Sequence, residues 1–238
     1  MSDLKRAALY YANYGWPVVP LHFMKDGRCS CGRVRCDSPG KHPITKHGPK
    51  DASRNEIQLD HWWNRRPEAN IGIRTGVNTG IVVIDVDPRH GGDESLAELV
   101  REHGELPATV EALTGGGGRH LVFKHPGGTI RNRSNMRPGI DVRGDGGYIV
   151  VAPSNHASGG QYRWREGHGP HETTPAEMPA WLLALVTRGN LEDANADAAR
   201  VAEQAPTPPA VLANERATRA LAAMRAQSLL SSKRRARR

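Results

Sequence analysis

Apolar residues fall into short blocks along the first 190 positions, and their spacing switches between the helical and the extended period. Residues 3–14 read as a helix stopping near Gly15, after which Trp16-Pro17-Val18-Val19-Pro20 leads into a short strand. Ile57, Leu59, Trp62 and Trp63 recur at helical spacing over 55–66 and are expected in the core. The runs 71–73 and 81–86 read as strands about a turn near Gly76-Val77-Asn78. A helix is predicted over 93–103, with Leu96, Leu99 and Val100 on one face. Strands are predicted over 120–123, 140–142 and 148–152, and a helix over 179–186. Strands interleaved with helices predict an α/β or α+β fold. Residues 24–54 break the pattern, being rich in Gly, Pro, Cys, His and Lys, and an irregular stretch of that length needs a cross-link to be ordered. There is no internal repeat.

Composition bounds this picture. The chain has 238 residues, 37% of them hydrophobic, with five Trp, five Tyr and two Phe, so a modest and mainly aliphatic core is expected. No stretch approaches the roughly 18 apolar residues of a membrane span. The start Met1-Ser2-Asp3-Leu4 is no signal peptide, so a cytoplasmic location without a membrane partner is expected.

The net charge of +8 is unevenly spread. Residues 211–238 hold eight Lys or Arg and one Glu, residues 191–210 hold one Arg and four acids, and 1–190 is only mildly basic. The expected organisation is one domain over 1–190, an acidic helix and proline-rich linker over 191–210, and a basic helical tail over 211–238. Lys233, Arg234 and Arg235 in that tail suit a polyanion such as nucleic acid, or simply solubilise the terminus.

The strongest chemical signal is Ile84-Asp85-Val86-Asp87. On a strand of period two, Asp85 and Asp87 project from one face, where Pro88 and Gly91-Gly92 open a loop. Two carboxylates on one face repel each other, and a hard divalent cation relieves that repulsion. The plainer alternative is a solvated pair of acids at a strand end.

A second signal is Cys29-Ser30-Cys31, Cys36 and His42, three thiols and an imidazole within 14 residues. That set matches a structural Zn²⁺ site in an insert of about 27–48, with His47 or His22 as substitutes for His42. Three cysteines are an odd number for a disulfide framework.

Thr114-Gly115-Gly116-Gly117-Gly118-Arg119-His120 then enters a strand, with glycines that let backbone N–H groups approach an anion or that form a plain hairpin. No P-loop pattern occurs. Finally, Ile140-Asp141-Val142-Arg143 places a carboxylate and a guanidinium on the polar face of a strand. Asp141 is the one acid among six basic residues from Arg119 to Arg143, which suits a metal ligand or a surface ion pair.

The order Asp-x-Asp, Gly-rich-x-His before a strand, then Ile-Asp-Val before Gly146-Gly147-Tyr148 resembles the bifunctional DNA primase/polymerase (Prim-Pol) family of the archaeo-eukaryotic primase superfamily. The flanks 69–76 and 148–154, Trp62-Trp63 and Pro39-Gly40-Lys41-His42-Pro43 fit as well, and the similarity covers roughly 5–187. The resemblance implies an α+β primase-polymerase fold, with an RNA-recognition-motif-like catalytic palm and an N-terminal α/β module carrying the zinc-binding insert. It implies template-dependent synthesis or extension of primers on single-stranded DNA from NTP or dNTP, in replication of a mobile element, with a helicase on a separate chain as a partner. Two Mg²⁺ or Mn²⁺ ions would be held by Asp85, Asp87 and Asp141, beside the structural Zn²⁺. His120, with Arg119, would hold the incoming triphosphate, and Arg74, Arg143 and Lys46 would contact phosphate or template. The alternatives are a non-catalytic zinc-containing nucleic-acid-binding module and a metal-dependent nuclease.

Overall fold

The computed structural model describes residues 1–188; the acidic stretch at 191–210 and the basic tail at 211–238, with Lys233, Arg234 and Arg235, lie outside the described residues. In chain order the elements are α1 (Asp3–Asn13), β1 (Val18–Leu21), β2 (Met24–Lys25), β3 (Arg28–Cys29), α2 (Glu56–Arg65), β4 (Asn70–Arg74) and β5 (Ile81–Val86). They continue with α3 (Gly92–His103), β6 (Val110–Leu113), β7 (Arg119–Lys124), β8 (Arg133–Arg137), β9 (Ile140–Arg143), β10 (Tyr148–Val150) and β11 (Arg163–Trp164). Residues 180–188 form a further helix, α4. This is a mixed α+β fold, as the alternation of patterns predicts. None of the described helices is long and apolar enough to cross a membrane.

Two antiparallel sheets carry the architecture. One has the order β1-β4-β10 and the other β11-β6-β7-β5-β9-β8, with β5 between β7 and β9 at its centre. The alternation along β5 sends its side chains to two cores. Ile81 and Val83 join Val18, Ile71, Ile73 and Trp63 in a core shared with α1, α2 and the small sheet. Val82, Ile84 and Val86 pack on Leu96 and Leu99 of α3 and Leu182 and Val186 of α4.

Local chemistry explains the helix starts. Ser2 caps α1 by accepting the Lys5 N–H, and Asn55 caps α2 by accepting the Gln58 N–H at 3.1 Å. Ile57 corrects the periodicity reading: it faces solvent at 81% exposure, while Leu59 and Trp63 are buried. Both α2 faces begin with apolar residues, but only the stripe through Leu59 and Trp63 meets the sheet.

The first core is also more aromatic than the composition suggests. Tyr11, Trp16 and Trp164 cluster there with ring centroids about 6 Å apart. The Tyr11 hydroxyl donates to the Ala152 carbonyl at 2.8 Å and accepts the Trp164 indole N–H at 2.9 Å. Tyr11→Phe strands both partners in an apolar setting and should cost about 1–3 kcal/mol. Thermal unfolding of the variant checks this, with Tm lowered by roughly 3–10 °C.

Strands β2, β3, β6, β8 and β11 escaped the sequence pattern. β8 reads Arg-Ser-Asn-Met-Arg and is an edge strand with a bulge between Arg133 and Arg137, where polar residues are normal.

Candidate active site and zinc centre

Where the inner face of the large sheet emerges from the first core, it turns polar within two residues. Asp85 follows Val83 on the same face of β5 and pairs in register with His120 of β7 on one side and Asp141 of β9 on the other. The three side chains therefore form one cross-strand row. Arg143, opposite Val83 in the register, reaches back to that row. Its Nη2 donates to Asp85 Oδ2 at 3.1 Å and to Asp141 Oδ2 at 2.9 Å, so a single guanidinium nitrogen lies between the two carboxylates.

Asp87 lies beyond the strand end and is held differently. Its carboxylate accepts from Arg89 Nε at 3.0 Å, Arg89 Nη2 at 2.8 Å and His90 Nδ1 at 3.0 Å. The Arg89 guanidinium holds its carboxyl well below the usual carboxylate range. Asp87 N–H donates to Gly139 O, and Gly92 N–H donates to Asp87 O. That close approach works only because Gly92 and Gly139 lack Cβ atoms: a Cβ on Gly139, at φ +67°, would sit 2.4 Å from Gly92 N and 2.6 Å from Asp87 O. Gly139→Ala should therefore cost about 2–5 kcal/mol, from left-handed backbone strain plus a clash with backbone. The expected result is a lowered Tm together with loss of whatever activity depends on Asp87.

These residues line a cavity of about 500 Å³. Asp85, Asp87, His120, Asp141 and Arg143 all face it, so the two halves of the sequence signal meet in space. Arg74, Arg119 and Lys46 are not among its lining residues. Arg119 turns instead to Asp93 at 2.9 Å and toward buried Glu111 at 3.8 Å. Lys46 is exposed, and Arg74 sits on β4 opposite Tyr148.

His120 is 5% exposed. Burial pushes its pKa down, against the pull of Asp85, whose Oδ1 is 3.5 Å from His120 Nε2. The imidazole is thus neutral near pH 7 and retains one N–H to donate. Among the described residues its Nδ1 has no hydrogen-bond partner.

The glycine run borders the cavity through Gly116 and Gly118. It is the β6–β7 hairpin turn, closed by Thr114 N–H to Gly118 O at 2.8 Å. A Cβ on Gly115 would fall 2.3 Å from His156 Cβ, and one on Gly116 would fall 3.1 Å from His156 Cε1. These two glycines make room for the His156 ring, which lines the cavity beside Tyr162.

Several lining residues were missed in the sequence. Asn135 adopts φ +52°, a conformation Asn tolerates better than most residues, and its N–H donates to Asp141 Oδ1 at 2.8 Å. Lys41 and Ser38 reach the cavity from the cysteine-rich insert. Lys41 stands inside Pro39-Gly40-Lys41-His42-Pro43, so its signal was visible, although its destination was not.

The insert carries the second site. Cys29, Cys31, Cys36 and His42 place one ligand atom each within 4.8 Å of one another. His42 Nε2 lies 3.5 Å from both Cys29 Sγ and Cys36 Sγ. Tetrahedral zinc with its usual Zn–S and Zn–N bonds gives an S···N edge of about 3.6 Å, so the donor set fits that ion. His47 pairs with Asp51 instead, and His22 stacks on the His42 ring at 4.3 Å while its Nδ1 meets Ser30 Oγ at 2.8 Å. Burial, with His42 beside it, pushes the His22 pKa down to about 4, so it stacks as a neutral ring.

In comparison with known proteins, residues 8–181 match the family model described as "Bifunctional DNA primase/polymerase, N-terminal". No curated protein matches the chain.

Proposed function

The chain belongs to the bifunctional DNA primase/polymerase (Prim-Pol) family, and from that premise we propose that it is a template-dependent primase/polymerase acting on single-stranded DNA. It would make or extend primers from NTP or dNTP by nucleotidyl transfer, in replication of a mobile element. The observation that carries this reading is the row Asp141–Asp85–His120 with Arg143 across it, facing one cavity.

The donor set suits Mg²⁺ or Mn²⁺, since Asp85, Asp87 and Asp141 offer hard oxygens only. The fit is supported by Arg143, whose guanidinium stands as an internal cation between Asp85 and Asp141. Divalent ions held by these acids would favour ionisation of a primer 3′-hydroxyl and offset charge on the departing pyrophosphate. The residues themselves do the rest. Asp85, Asp87 and Asp141 would hold the cations, which would free Arg143 and Arg89 to turn to phosphate oxygens. Neutral His120 donates its N–H to the incoming triphosphate. The low-exposure floor beneath them keeps these groups oriented.

Incubation of the full chain with end-labelled primer–template in Mn²⁺, with and without dNTP, tests the reading. Elongation that requires dNTP supports it. Shortening of the label without dNTP indicates a nuclease instead, and unchanged bound DNA a binding module.

A further inference from the structure

The cavity holds cations of two kinds. Arg143 and Arg89 are engaged by the acids, Arg143 by Asp85 and Asp141 and Arg89 by Asp87. Lys41 is not: among the described residues its ammonium makes no ion pair, and it lies in the combined field of Asp85 and Asp87, which attract it, and Arg89 and Arg143, which repel it. A half-buried lysine that lines a polar cavity and has no carboxylate paired to it is placed for an anionic ligand.

Its backbone is fixed on both sides. Gly40 N–H donates to Cys29 Sγ at 3.4 Å, and Gly40 O accepts from Asn70 Nδ2 at 2.9 Å. Asn70 is fully buried, and its carboxamide also exchanges hydrogen bonds with the Asn155 backbone, next to His156 in the cavity wall. On the other side, His42 belongs to the candidate zinc ligand set and its carbonyl accepts the His22 N–H at 2.9 Å. The metal ligands and Asn70 together clamp the residues that flank Lys41.

We propose that the cysteine-rich loop is a positioning device: it fixes Lys41 in the wall of the cavity that the acids also line, where the ammonium binds the polyphosphate of the incoming nucleotide. This rests on the polymerase reading above. A volume of about 500 Å³ accommodates one nucleotide rather than a duplex. The ammonium supplies a mobile point charge for a triphosphate, beside the rigid forks of Arg89 and Arg143. The zinc site then has a functional role besides holding its own loop together.

The test titrates the full-length chain with dATP, with dAMP and with an oligo-dT strand, each in Mg²⁺. Wild type should bind dATP more tightly than dAMP. Lys41→Ala should weaken dATP about tenfold, the loss of one hydrogen bond to a charged group. It should move dAMP and oligo-dT less than about twofold, and Lys41→Arg should recover most of the loss. Cys31→Ser, checked for retained circular dichroism, should weaken dATP to a similar extent, and the double variant should be no weaker than Lys41→Ala.

Unchanged dATP binding in Lys41→Ala overturns the assignment. So does a loss shared equally by dAMP, or one that falls on oligo-dT. Additive losses in the double variant overturn the positioning role. If wild type binds no dATP at all, the polymerase reading falls and this assignment with it. If wild type binds dATP and Lys41→Ala binds it equally, only the lysine assignment falls.

Discussion

Asp85→Asn should abolish the proposed nucleotide transfer, lowering the single-turnover rate at least about a thousandfold, while Tm should stay within a few degrees of wild type. Asp85 is the central member of the row, hydrogen-bonded through Arg143 to Asp141 and lying beside His120. The amide keeps the shape but removes the charge that any cation in the cavity must find. Removing one preorganised charge from such a site typically costs about 10²–10³ in rate, and here the same carboxylate would also be a ligand of the proposed metal. Stability should change little, because Arg143 keeps Asp141 and the apolar neighbours Val83 and Val86 are untouched. Single-turnover primer extension beside a thermal melt separates the two effects. A variant that extends primers at the wild-type rate would remove Asp85 from the metal site.

The second large effect is on stability. Cys29→Ser, or thorough chelation of zinc, should lower Tm by roughly 10 °C or more and bring the zinc-to-protein ratio well below one. Within residues 24–54 only Cys29 and Gly40 are buried, so apolar packing contributes little to ordering the insert. Its two strands are two residues each. Zinc held by Cys29, Cys31, Cys36 and His42 would supply the cross-link, and Cys29 Sγ also accepts the Gly40 N–H. Mass-spectrometric metal analysis beside thermal unfolding checks both parts, and an unchanged ratio in the variant would refute zinc at these residues.

How much of this was legible in the sequence depends on where the information resides. The buried strands β5, β7 and β9 were readable because each alternates or runs apolar, and alternation also placed Asp85, His120 and Asp141 on usable faces. That they form one row depends on strand order and register, which periodicity does not carry. Arg119 shows the cost: its place next to His120 suggested a shared ligand, but adjacent strand residues point to opposite faces, and its guanidinium ends on Asp93. Ile57 failed for a related reason, since spacing finds a helical face without saying which face the sheet meets. The Cys/His set was legible because chelation is local in sequence. Lys41 was visible in its motif yet lacked a destination, because its cavity is built by strands more than forty positions away.

That this cavity builds DNA strands is a proposal. It is tested most directly by supplying labelled nucleotides to the full chain on unprimed and on primed single-stranded DNA, in Mg²⁺ and in Mn²⁺, beside Asp85→Asn. New labelled strands from the wild type and none from the variant are the predicted result. Equal synthesis by both proteins, or a wild type that binds the template and makes nothing, would contradict it.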